Sequence, residues 1–103
     1  MTFLNSCILL GRYRDITIID DKLSCLVLVV NDDDGDITIP VFIGTEIANQ
    51  ILKSCNLHDL IGIKGKIDAD ENGLIIKAIK ITFLSTQKKP INFDSIFLFL
   101  HQL

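Results

Sequence analysis

Apolar residues in this chain come in short runs, each closed by glycine or acidic turn residues, and one internal stretch switches to a helical period. Runs of this length are strands, because a side-chain period of two lets one face pack while the other meets solvent. The first is Phe3 to Leu10, stopped by Gly11 and Arg12-Tyr13-Arg14-Asp15, and Ile16 to Ile19 continues it past a bend or bulge. Leu23 to Val30 and Asp36 to Ile43 follow, with Asn31-Asp32-Asp33-Asp34-Gly35 between them as hairpin chemistry. From Thr45 the period changes. Ile47, Ile51 and Leu52, with Ala48 between, describe a short amphipathic helix capped by Thr45 and ending near Cys55-Asn56. Strands resume at Leu60 to Ile67 and Leu74 to Leu84, around a turn at Asp68 to Gly73. The composition agrees: 18 isoleucines stand against 4 valines and 3 alanines, and a β-branch suits a pleated, half-buried surface.

The order β-β-β-α-β-β, with the helix between strands three and four, is that of an all-β, five-stranded Greek-key barrel of the OB-fold type. A chain of 103 residues supports one such domain, taken as 1–86, and leaves 87–103 as a C-terminal segment. With 49% hydrophobic and 22% charged residues the chain must fold rather than stay disordered. Its longest unbroken apolar run, Cys25 to Val30, falls far short of the ~18–20 residues that cross a bilayer, so a cytoplasmic protein with no membrane partner is expected. Cys7, Cys25 and Cys55 are odd in number and lack C-x-x-C or histidine-flanked spacing, which points to free thiols instead of a disulfide framework or zinc site.

The acidic run Asp32-Asp33-Asp34-Gly35-Asp36 lacks the glycine and glutamate placement of a calcium loop and reads as a turn. His58 and His101 are isolated from other metal-ligating or nucleophilic residues. With no phosphate loop, nucleophile elbow or paired-carboxylate site, neither an enzyme nor a cofactor or metal is expected.

Several segments, in order, resemble the bacterial single-stranded DNA-binding (SSB) proteins. Asn5-Ser6-Cys7-Ile8-Leu9-Leu10-Gly11-Arg12 is similar to that family's opening Asn-x-x-x-Leu-x-Gly-Arg, and Arg14-Asp15 to the basic-Asp pair that follows. Leu26 to Asn31 resembles its Phe-Thr-Leu-Ala-Val-Asn strand. Ile39-Pro40-Val41-Phe42, Gly44, Ala48, Asn49 and Ile81 to Ser85 also match, and His58 to Lys66 stands where the family writes Gly-Asp-x-Ile-x-Val-x-Gly. The resemblance covers roughly residues 4–85 and implies an OB-fold that binds single-stranded DNA.

This sequence also departs from the family. The positions where the family stacks bases on aromatic rings fall here on Ile37, Ile43 and the Asp32 to Asp34 turn, and isoleucine has no π-face. The acidic, Phe-terminated tip that recruits the family's partners has no counterpart in the final residues, Phe93 to Leu103. On the family's alignment Thr38, Pro40 and Phe42 point into the barrel, so Ile37, Ile39, Val41 and Ile43 form an apolar outer face beside Val27 and Val29. Such a face needs a cover. Ile96, Phe97, Leu100 and Leu103 share one helical stripe behind a cap at Asp94 or Ser95, so a C-terminal helix is expected to dock on Ile37, Ile39, Val41 and Ile43 through Ile96, Phe97 and Leu100 and to block the usual DNA path.

Nucleic acid then needs another surface. Net charge is −3, but it is unevenly spread: residues 1–50 hold 3 basic and 8 acidic side chains, residues 51–103 hold 7 and 5. The cationic candidates are Arg12 and Arg14 around Tyr13, the only tyrosine available to stack a base, with Lys64, Lys66, Lys77 and Lys80 on the last two strands and Lys88-Lys89 beyond. The expected function is single-stranded DNA binding without catalysis, through a remodelled surface, in replication or mobile-element maintenance. The alternative is an OB-fold interaction subunit serving a replication or primosome partner, and self-association is open in either case.

Overall fold

The computed structural model describes residues 5–84; the expected C-terminal helix and its docking residues Ile96, Phe97 and Leu100, like Lys88-Lys89 and the 87–103 segment, lie outside the described residues. The strands are β1 (Cys7–Ile18), β2 (Leu23–Asp32), β3 (Gly35–Gly44), β4 (Leu60–Asp70) and β5 (Gly73–Phe83), with α1 (Thr45–Ser54) between β3 and β4. They close into a barrel in the order β1-β2-β3-β5-β4, the expected five-stranded OB topology.

Closure depends on β1. Gly11 does not end the first strand, as the sequence implied; β1 runs on through it and past a bulge at Arg14. Residues Cys7 to Arg12 pair with β4, and Arg12 to Ile18 pair with β2. Gly11 lies where the two ladders meet, and a Cβ there would stand 2.6 Å from the Val29 carbonyl oxygen and 2.8 Å from Leu28 Cγ. Beyond Cys7 the side chain of Asn5 continues the ladder as a peptide group would: its Nδ2 donates to the Ile67 carbonyl (2.7 Å) and its Oδ1 accepts the Ile67 N–H (2.9 Å).

The turns follow from acidic and glycine residues. Asp20 Oδ1 accepts the N–H groups of Lys22 and Leu23, both at 2.8 Å, and these bonds hold its carboxyl below the usual range. Gly35 and Gly73 take φ of 130° and 124° where β3 and β5 begin. Thr45 is not the cap of α1; Gly44 is, with no side-chain cap. The Thr45 hydroxyl instead donates to the Asp20 carbonyl (2.7 Å) and meets Ser24 Oγ at 2.8 Å, tying the helix start to the β1–β2 turn.

The core reverses the expected parity of β3. Val41 and Ile43 are buried (0% and 3% exposed) and Ile39 packs against them, whereas Thr38 and Pro40 are exposed and Phe42 is half-buried. The reason is register. The two-residue turn at Asp33-Asp34 pairs Asp32 with Gly35, which sets Leu28 against Ile39, Leu26 against Val41 and Ser24 against Ile43. Leu26 and Leu28 face inward with no exposure, so their partners do too. Ile61 and Ile63 of β4 and Ala48 and Ile51 of α1 complete the core with Tyr13. Each fully buried Leu or Ile stabilises by ~1.5–3 kcal/mol before ordering entropy is subtracted. The expected docking face of Ile37, Ile39, Val41 and Ile43 therefore does not exist as an outer surface; of the four only Ile37 is largely exposed.

Gly11→Ala is expected to destabilise the protein by ~1–3 kcal/mol in urea unfolding, because the added methyl meets a fixed carbonyl and a packed leucine. An unchanged midpoint would show that β1 does not cross as closely as described.

Candidate nucleic-acid interface

With Ile39, Val41 and Ile43 committed to the core, the outer face of β2 and β3 is built from the opposite parity. Cross-strand pairs set Val29 beside Thr38, Val27 beside Pro40 and Cys25 beside Phe42. On the β1 side, Val29 faces Arg12 and Val27 faces Asp15. The face stays apolar at its centre, and along β1 it carries Arg12 and Arg14 with Asp15 next to them.

Arg12 has strand partners on both sides, Val29 and Leu60. Its Nη1 donates to the His58 carbonyl at 2.9 Å, which holds the guanidinium over the edge of the sheet. His58 belongs to a segment that continues the β1–β4 ladder beside Tyr13: its N–H donates to the Tyr13 carbonyl (2.8 Å), and the Tyr13 N–H donates to the Asp59 carbonyl (2.9 Å). Asp59 is buried and its Oδ2 accepts the Asn56 N–H at 2.8 Å, closing the turn. His58 itself has φ of 74°, a left-handed conformation that costs a non-glycine residue ~1–2 kcal/mol.

Arg14 is the extra residue of the β1 bulge, so both it and Asp15 are exposed, and its Nη1 lies 3.5 Å from Thr38 Oγ1. The two arginines share a groove of about 420 Å³ with Val29, Asn31, Asp36, Thr38 and His58. Asn31 donates its side-chain amide to Asp36, which engages the one carboxylate among those lining residues. Sequence reasoning missed Asn31, Asp36, Thr38 and His58. The hairpin register carried the signal for the first three; the ladder continuation that brings His58 beside Tyr13 has no short-range signature.

Tyr13 does not stand between the arginines on the surface. It is 5% exposed in the core, and burial, followed by the charge of Asp15 and the Cys55 thiol, raises its phenol pKa. It is unavailable to stack a base. The Cys55 thiol beneath it is pushed up to about 11, by burial first and then by Asp59. Burial also raises the Cys25 thiol, and all three cysteines are unpaired and half-buried.

The four lysines gather on a different side of the barrel, the outer face of β4 and β5. Lys64 is opposite Lys80 and Lys66 opposite Lys77. Lys77 and Lys80 are three apart and would leave opposite faces of a regular strand, but a bulge between these two pairs adds Ile79 and returns both to one face. Lys77 Nζ lies 3.0 Å from Asp68 Oδ2, and that contact, after the Ala69 N–H, holds the Asp68 carboxyl below its usual range. The structure thus groups the expected residues in two: Arg12 with Arg14, and Lys64, Lys66, Lys77 with Lys80. Phe42 of β3 adjoins Lys77 of β5 but is aligned through Cys25 with Thr17 of β1, so the lysines lie apart from the arginines, which stand at the level of Val29 and Thr38.

Among the described residues no group of three or more His, Cys, Asp or Glu side chains is placed to hold a metal ion, and no helix is long and apolar enough to cross a membrane. No family model matches the chain, and no curated protein matches its sequence. Solved structures do resemble it. The mitochondrial single-stranded DNA binding protein Rim1 of S. cerevisiae is similar at a TM-score of 0.66 and 12% identity, over 82% of this chain and 97% of that one. The N-terminal domain of PriB from Thermoanaerobacter tencongensis, described as dimeric, is similar at 0.60 and 16%, over 79% and 97%. An OBody bound to hen egg-white lysozyme is similar at 0.61 and 14%, over 79% of each chain. At these identities the likeness is one of fold, and the chain has the OB-fold that SSB-type domains carry.

The single tyrosine offers a clean test of the site. Its absorbance titration is expected to have a midpoint above that of a free tyrosine, since the buried phenol resists ionisation and its ionisation works against the fold as pH rises through that range. A midpoint at the ordinary value would place Tyr13 in solvent and return it to the interface.

Proposed function

We propose that this protein binds single-stranded DNA without catalysis, along the outward face of β1, β2 and β3. The observation that carries this reading is the groove in which Arg12 and Arg14 stand beside Val29 and Thr38. Guanidinium groups suit phosphates, and the adjoining Val27, Val29 and Pro40 supply apolar contact for bases. OB-folds commonly take oligonucleotides on the face of strands two and three, and Rim1, of the same fold, is named for binding single-stranded DNA. The face is not the family's aromatic one. Valine and proline contribute less than the ~1–3 kcal/mol of a stacked aromatic, so backbone electrostatics carry most of the affinity. The lysine face of β4 and β5 extends the track for a longer strand, while exposed Asp33 and Asp34 repel phosphate at the hairpin tip. A cytoplasmic role in replication or in maintenance of a mobile element fits this chemistry.

A second reading, an interaction subunit of a replication or primosome complex, is supported by the OBody, in which the same fold binds a protein. Net charge of −3 also suits a protein partner better than DNA. Self-association is compatible with both readings.

Titration with a fluorescent oligothymidylate at several salt concentrations separates them. Single-strand binding is expected, with log affinity falling by about 0.7 per phosphate contact for each unit of log salt. Arg12→Ala and Arg14→Ala are each expected to reduce that slope by about 0.7. No detectable binding at low salt would contradict the DNA reading and leave the protein-interaction one; an unchanged slope in the double variant would remove the arginines from the site.

A further inference from the structure

Among the described residues, β3 and β5 are joined by two parallel rungs, Val41 with Ile76 and Phe42 with Lys77. Toward the starts of both strands they part, and the gap is an apolar cleft of about 220 Å³ lined by Ile39, Pro40, Ile67, Leu74, Ile75 and Ile76. That volume is below the ~300–1,000 Å³ of pockets that take whole drug-sized ligands, so its match is a flat fragment. Among the described residues no polar side chain lines it. Leu74, at its wall, is 82% exposed, an unusual cost for a leucine.

Charge surrounds this cleft on one side. Ile75 lines the cleft from the outer face of β5, Lys77 leaves that same face two residues on, and Lys66 is its direct cross-strand partner, with Asp68 opposite Ile75. Like charges in that position repel unless an anion lies between them. Asp68 meets Lys77 at 3.0 Å, but both side chains are nearly half exposed, so the pair is weak and exchanges readily for another anion. An apolar slot of fragment size beside two opposed ammonium groups is complementary to one nucleotide unit: a planar base for the slot and phosphates for the lysines. Pro40 sits on the outer face of β3 beside Val27 and also lines the cleft, which makes the slot continuous with the proposed DNA face.

We propose that the cleft between β3 and β5 takes a nucleobase of bound single-stranded DNA, with Lys66 and Lys77 on the flanking phosphates. This rests on the single-stranded DNA reading and adds a base-binding subsite made of aliphatic walls. Because those walls offer no hydrogen-bonding side chain, the slot accepts any base that fits, and it supplies base contact in a protein without surface tryptophans.

The test compares oligothymidylate with an abasic oligonucleotide of equal length, using wild type, Leu74→Asp, Leu74→Ala and, as a control on the outer side of α1, Leu52→Ala. Wild type and Leu52→Ala are expected to prefer the base-bearing strand by roughly tenfold or more. Leu74→Asp should cut that preference several-fold, and Leu74→Ala should cut it less, since it only trims the wall. Leu74 is exposed enough for either change to leave the fold intact, which circular dichroism checks. A preference in both Leu74 variants equal to that of wild type would overturn the slot. Equal wild-type affinity for the two strands would also overturn it while leaving DNA binding standing, whereas no affinity for either strand would overturn the reading beneath it.

Discussion

The barrel depends on β1 being shared between two strands. Its first half completes the ladder of β4 and its second half that of β2, and at Gly11 a Cβ would stand only 2.6 Å from the Val29 carbonyl oxygen, so a side chain there would block the crossing. A sheet that did not close there would expose unpaired edges on β2 and β4. Arg12 follows immediately and has backbone partners on both sides, so the first cationic side chain of the candidate interface stands on the most constrained stretch of the fold. Its guanidinium is fixed further by the His58 carbonyl, in a segment whose left-handed residue stores local strain.

Inside the barrel the aliphatic excess has a definite use. Leu26, Leu28, Val41, Ile43, Ile61 and Ile63 fill it with branched side chains, and Tyr13 is the aromatic member of the core cluster. The consequence appears outside. Once β3 has turned its isoleucines inward, its outer face carries Thr38, Pro40 and Phe42, with Val27 and Val29 alongside. On the proposed reading this face offers apolar contact and arginines but no tryptophan, so phosphate contacts and the aliphatic cleft beside β5 would carry more of the binding.

Much of this was legible in the residues. The strand order, the single helix between strands three and four and the turn at Asp33-Asp34 follow from period and turn chemistry, as does the turn expected over Asp68 to Gly73, which narrows to Glu71-Asn72 because β4 runs on to Asp70. The parity of β3 is legible too, in the hairpin register. Treating Phe42 as the inward anchor turned Val41 and Ile43 outward, although the two-residue hairpin loop already pairs them with the buried face of β2. Tyr13 was placed at the surface by its arginine neighbours, but strand alternation puts it on the opposite face from them. The convergence of four lysines required a bulge at Ile79, and the position of His58 required its segment to continue the β1–β4 ladder beside Tyr13; neither has a local sequence signal.

Backbone amide shifts of the labelled protein, followed while single-stranded DNA is added, test the central claim directly. Changes are expected to concentrate on Arg12, Arg14, Val27, Val29 and Thr38, with α1 residues such as Asn49 and Leu52 unmoved. Changes confined to α1 and the β1–β2 turn, or none at saturating oligonucleotide and low salt, would contradict it.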